Sequence, residues 1–331
     1  MRQLSGLLLL ICSIPALAWD QHQSMMSHMV NMNSDRIYLK EQLVVPSQEL
    51  QKKEIEAIAK ILEVNAAKIP IQIPGKIFVS DFLKGESIDE PDFGMDQDLP
   101  DAVDPNHDRQ WMGGKTGPTS QGFRHMVFPG FEWTSPLRSI QIPFRAIGQA
   151  PQRILKLKEI AQRYFSQNNR YWGLRVALWE LHLIQDLHQP FHVTQVPAIG
   201  MLPLGSLFHQ FVGRSTQVIA NFHYSYEGLI SESLMDGSSS QMASCFEEKS
   251  GKPLVVDASM IASIIKMART QANSIGHTLN QLWGEDMKKP KVNLPEGLGI
   301  PDYYAYLNAS AEEDEQVKQS KLVQSLLENT C

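Results

Sequence analysis

Residues 170–187, RYWGLRVALWELHLIQDL, limit the possible fold more than any other segment. Apolar side chains recur there at helical spacing (Val176, Ala177, Leu178, Trp179, Leu181, Leu183, Ile184). They cover so much of the circumference that the helix belongs inside the molecule, not on its surface. His182 and Asp186 stand four residues apart on one face of it. A buried imidazole and carboxylate without partners are expensive, and a shared metal ion would remove that cost. Gln189-Pro190 then stops the helix and lets His192 turn back toward the same site.

Helical periodicity recurs in 48–64, 151–167, 218–235 and 257–283. No comparable series of alternating strands is visible, so the expectation is an all-α fold. Residues 70–136, rich in Gly, Pro, Asp and aromatics, read as long loops over the helical body. With 331 residues and 43% apolar content the chain can bury a full core, as one large or two modest domains. Thirty Lys and Arg against 36 Asp and Glu leave a net charge of −6, so there is no basic field to track a phosphate backbone. Duplex nucleic acid is not an expected partner.

The N-terminus reads as a secretory signal: Arg2, the apolar run 7–14, then Ala16-Leu17-Ala18 as a small-x-small cleavage site. The apolar run is too short to span a bilayer and no later window is long enough, so an exported, soluble mature chain is expected, secreted or held in a periplasm. Ile11 before Cys12 argues against lipoprotein processing. Cleavage after Ala18 would leave Trp19 with a free α-amino group of pKa ~8, able to yield its proton to a metal. It would also leave Cys245 and Cys331, for which a disulfide and two free thiols are both open. The domain reading is 1–18 signal peptide, 19–285 a folded domain and 286–331 a C-terminal extension with an acidic, helical end.

A second helix repeats the spacing, with His223 and Glu227 four apart in HYSYE. Three imidazoles and two carboxylates without a thiolate suit zinc among the divalent transition metals. Five ligands are too many for one tetrahedral ion, which hints at a cluster.

The string HLIQDLHQPFH, the later HYSYE and the Trp at position 19 resemble the zinc-dependent phospholipase C family of secreted bacterial enzymes. That family includes the phosphatidylcholine-hydrolysing type and the clostridial alpha-toxin, and it shares an all-helical, trinuclear-zinc fold with the single-strand-specific zinc nucleases. The resemblance covers 19–283. It implies a multi-helix bundle enclosing three zinc ions, with long loops over the cleft. His182 and Asp186 would bind the first ion, with a His and an Asp from the loop-rich middle. His192, His223 and Glu227 would bind another. The last would take the amino nitrogen and carbonyl oxygen of Trp19, a nearby His and the shared Asp186. His28 is preferred to His22 for that His, His125 to His107 for the middle His, and Asp89 to Asp92 or Asp96 for the middle Asp. The gap from 89 to 125, 125 − 89 = 36 residues, exceeds that of well-known members and implies an inserted loop.

The resemblance further implies hydrolysis of a phospholipid phosphodiester by metal-activated water, with Asp89 or Glu227 as general base, by a monomer in peripheral contact with a membrane. Glu227, where the nucleases usually place Asp, favours the phospholipase; a zinc nuclease or nucleotidase and a non-catalytic zinc- or membrane-binding protein are the alternatives. Phosphatidylcholine is the first choice of substrate, yet Glu90 stands where choline-selective relatives carry an aromatic, which leaves the headgroup open. Trp111, Phe128, Phe131 and Trp133 form either a lipid-facing rim or a loop-covered core. His188 is read as pointing away from the site, and His209 and His277 as ordinary packing or surface residues.

Overall fold

The computed structural model describes residues 22–62, 66, 69–85, 125–128, 131–135, 138–142, 147–194, 221–223, 225–227, 230 and 255–283. These residues are mostly helical, in keeping with an all-α chain. In chain order they form α1 (His22–Met32), a 3-10 turn (Ile37–Lys40), β1 (Gln42–Val45), α2 (Gln48–Leu62), β2 (Gly75–Phe78), α3 (Val79–Lys84), β3 (Val127–Phe128), β4 (Phe131–Ser135), β5 (Arg138–Ile142), β6 (Ile147–Gly148), α4 (Ala150–Ser166), α5 (Arg170–His188), α6 (Pro190–Val193) and α7 (Ala258–Trp283). Residues 221–223 and 225–227 are also helical. No described helix is long and apolar enough to cross a membrane.

α5 is the axis of the described core. Every residue from Tyr171 to Leu187 is buried, as its all-round apolar pattern requires. Its start is set by Asn169, whose side chain accepts from the Trp172 N–H at 3.4 Å. Just before it, Asn168 takes φ 59°, a left-handed conformation that Asn tolerates better than most residues. The resulting tight turn folds α5 back along α4, and the two helices make the most extensive contact between described elements. Gly173 permits the close approach: a Cβ there would lie 2.8 Å from the ring of Phe165. Ile154, Leu157 and Ile160 of α4 join Trp172, Val176, Trp179 and Leu183 in one core, against which α7 lays Ile261, Ile264 and Ala268.

A buried guanidinium ties the 69–73 segment to this axis. Arg175 donates to the Tyr171 hydroxyl at 3.1 Å and to the Pro70 carbonyl at 2.5 Å. Its carbon lies 5.3 Å from the Trp172 ring and 5.5 Å from that of Trp179. Those faces offset part of the cost of burying the charge.

The described parts of the stretch expected to be loops, 70–85, 125–128 and 131–135, carry short regular elements. They contain β2, α3, β3 and β4, and the described strands form three two-stranded antiparallel ladders, β1 with β2, β3 with β6 and β4 with β5. Strands of two to five residues are too short to announce themselves by alternation. The β3–β6 pair matters for the site, because it anchors the residues that follow His125 to the start of α4. Gly148 pairs with Val127 at φ 110°, and a Cβ there would fall 2.1 Å from the Met126 carbonyl oxygen. Phe128 is buried, 4% exposed, so it belongs to packing and not to a lipid-facing rim.

Candidate metal centre

Asp186 lies one turn beyond His182 on α5 and is 2% exposed. Imidazoles approach both of its oxygens. Oδ2 is 2.8 Å from His125 Nδ1 and 3.3 Å from His182 Nε2, and those two nitrogens are 3.0 Å apart. Oδ1 is 3.5 Å from His22 Nε2 and 3.5 Å from His192 Nδ1. The other ring nitrogen of His192 faces a second group: its Nε2 is 2.9 Å from His223 Nε2 and 3.4 Å from Glu227 Oε1, which in turn lies 2.5 Å from His223 Nε2. His192 thus stands between two triads, His22/His182/Asp186 and His192/His223/Glu227.

These separations fit an ion. Donor atoms held tetrahedrally at about 2.0–2.1 Å stand about 3.3 Å from one another, a spacing met by the 3.3–3.5 Å contacts of both groups, whereas the 2.5 Å between His223 and Glu227 is a hydrogen-bond distance. Hydrogen bonding accounts for the arrangement poorly. Each neutral imidazole carries a single N–H, whereas His125 Nδ1, His182 Nε2 and Asp186 Oδ2 approach one another three ways. The buried Nδ1 of His192, which faces Asp186 Oδ1 at 3.5 Å, has no hydrogen-bond partner, an arrangement that a fully paired polar core avoids.

The electrostatics point the same way. Burial, reinforced by His22, pulls His182 down to about 3, and burial lowers His192 as well. Burial alone would raise Asp186, but the facing His182 and His192 and the hydrogen bond from His125 hold it well below the usual carboxylate range. Burial likewise opposes ionisation of Glu227, and His223 with His192 overcomes it, to about 2. Neutral imidazoles around ionised carboxylates are the protonation states that a divalent cation needs.

The ligands are held from behind. Gln185 Oε1, an acceptor only, is 2.8 Å from His22 Nδ1. That ring nitrogen must therefore carry the proton, which aims the lone pair of Nε2 at the centre. Gln189 caps α6, accepting from the Phe191 and His192 N–H groups, and its NH2 lies 3.4 Å from Glu227 Oε1. Gln185 reads in the sequence as a polar neighbour and Gln189 as part of the helix stop; the available signal was their spacing of four, one on the helix that carries His182 and Asp186 and one just past its end.

Of the residues expected to bind metal, His125, His182, Asp186, His192, His223 and Glu227 come together. Trp19, Asp89 and the alternatives His107, Asp92 and Asp96 lie outside the described residues, as do His209, Trp111, Cys245 and Cys331. At the N-terminus the α1 histidine beside Asp186 is His22, the alternative to the preferred His28. Position 28 is six residues further along the same helix, about 9 Å along its axis and on another face; its side chain lies outside the described residues. His188 bonds the Ile184 carbonyl at 2.8 Å and joins neither triad, and His277 is exposed. Glu180, two positions before His182, lies on the opposite side of α5, where burial pushes its carboxyl up to about 8 despite Lys158. No family model, no curated protein and no solved structure matches the chain.

Proposed function

We propose that the protein is an exported zinc metallohydrolase that cleaves phosphodiesters, with phospholipids as substrate, phosphatidylcholine first among them. The observation that carries the reading is the double use of Asp186: one carboxylate presents an oxygen to each of two imidazole sets. A carboxylate so placed suits a multinuclear site, as the motif HLIQDLHQPFH implies through its resemblance to the phospholipases C.

On this reading His22, His125, His182 and Asp186 hold one group of ions, with Trp19 and Asp89 completing it, and His192, His223 and Glu227 hold another. Zinc there supplies Lewis acidity for phosphoryl oxygens and acidifies water. The chain's own residues fix where that chemistry acts. Asp186 and Glu227 bring negative charge that attracts the ions. The apolar shell around α5 excludes bulk water and strengthens every charge interaction inside it. Glu227 or Asp89 takes the proton from the attacking water. A lipid substrate is favoured over a nucleic acid by Glu227, which the nucleases usually replace with Asp, and by the acidic net charge.

The test is purified mature protein, with and without chelator, given phosphatidylcholine vesicles and single-stranded DNA side by side. Chelator-sensitive release of phosphocholine is expected. Nucleotide release instead would make the protein a nuclease, and inactivity toward both would leave a zinc- or membrane-binding protein.

A further inference from the structure

Gln189 is completely buried, and both ends of its carboxamide are engaged. One end faces the N–H groups of Phe191 and His192, the latter at 3.2 Å. Backbone N–H groups only donate, so the atom facing them is the oxygen. The other end is then the NH2 and must donate. It meets Glu227 Oε1 at 3.4 Å, across a sequence separation of 38 residues. The same carboxylate oxygen lies 2.5 Å from His223 Nε2 and 3.4 Å from His192 Nε2. A single side chain therefore caps the turn that carries one ligand and holds the carboxylate of another.

We propose that Gln189 is a positioning residue of the His192/His223/Glu227 site, presetting the spacing of His192 and Glu227 before an ion arrives. The inference rests on the metal-centre reading above and deepens it. Side-chain chemistry explains why glutamine is needed. Glutamate would set a second anionic oxygen against Glu227. Asparagine is a good N-cap but is one methylene short of Glu227. Methionine fills the volume and does neither. Asparagine therefore separates the two roles, keeping the cap and releasing the carboxylate.

The experiment uses the full mature chain, stripped of metal and titrated with zinc alone by calorimetry, with metal-free melting recorded alongside. Q189N should melt as the parent does and lose about 10- to 100-fold in zinc affinity at one class of site, the loss usual for a partner behind a metal ligand. Q189M should lose at least as much. In an H223A background Q189N should add nothing, whereas in an H182A background its effect should persist. A merely structural role would instead lower metal-free melting and weaken both classes of site. If the parent binds zinc and Q189N binds it equally, or if the effect survives in H223A, the inference fails while the metal centre stands. A parent that binds no zinc overturns both.

Discussion

Replacing Asp186 with Asn should remove most of the thermal stabilisation that zinc confers, and the geometry sets how much. An ion that binds only the folded chain adds about 4 kcal/mol at 1,000 times its Kd. One kcal/mol moves Tm by about 2–4 °C in a domain of 150–250 residues. Two independent sites would therefore raise Tm by roughly 15–30 °C. His223→Ala removes a ligand from one triad only and should keep about half of that gain. Asp186 offers Oδ2 to His125 and His182 and Oδ1 to His22 and His192. An amide keeps one of those acceptors and turns the other into an NH2 that cannot bind a cation. Asp186→Asn should thus lose the gain of its own triad and, because Oδ1 also faces His192 of the other triad, part of the rest, retaining less than His223→Ala. The assay is scanning calorimetry of each variant, metal-free and zinc-saturated, with each variant's own metal-free Tm subtracted so that effects on the fold cancel. Asp186→Asn with an undiminished zinc gain, or one larger than that of His223→Ala, would refute the shared-carboxylate geometry.

Gly148→Ala should cost about 1–3 kcal/mol, because it forces φ 110° on a residue with a Cβ and drives that Cβ to 2.1 Å from the Met126 carbonyl; melting reads the stability loss. The same displacement next to His125 should weaken zinc binding, read by titration. Glu180→Gln should flatten part of the pH dependence of stability. The folded state keeps the Glu180 proton up to about 8, whereas a free carboxyl loses it near 4.5. The contribution of Glu180 is therefore full below 4.5, falls as pH rises toward 8 and levels off above. The glutamine variant should gain on the order of 3–5 kcal/mol over the parent between pH 4 and pH 8.5. Denaturant titration at the two pH values would show it, and an equal difference at both would contradict it.

The sequence made α5 and its ligands legible because burial and chemistry conflict there. An apolar helix cannot hide His182 and Asp186 cheaply, so their presence needed a partner, and Gln189-Pro190 marked where the chain turns to deliver His192. The helices α2, α4 and α7 were visible from periodicity, to within two residues at each end. The short ladders were not, since β3 and β6 have two residues each and no period can be read from two. The choice between His22 and His28 turned on where α1 begins relative to Asp186. That is a tertiary register which local pattern does not encode. The supporting roles of Gln185 and Gln189 were not legible for a related reason: glutamine has no bias toward metal sites, and its role comes from what lies across from it after folding.

Whether separated imidazoles and carboxylates gather around metal ions can be read by anomalous diffraction at the zinc edge from crystals of the protein. Separate peaks are expected, one among His125, His182 and Asp186 and another among His192, His223 and Glu227. A map without a zinc peak at either place, from crystals grown with zinc, would contradict this expectation.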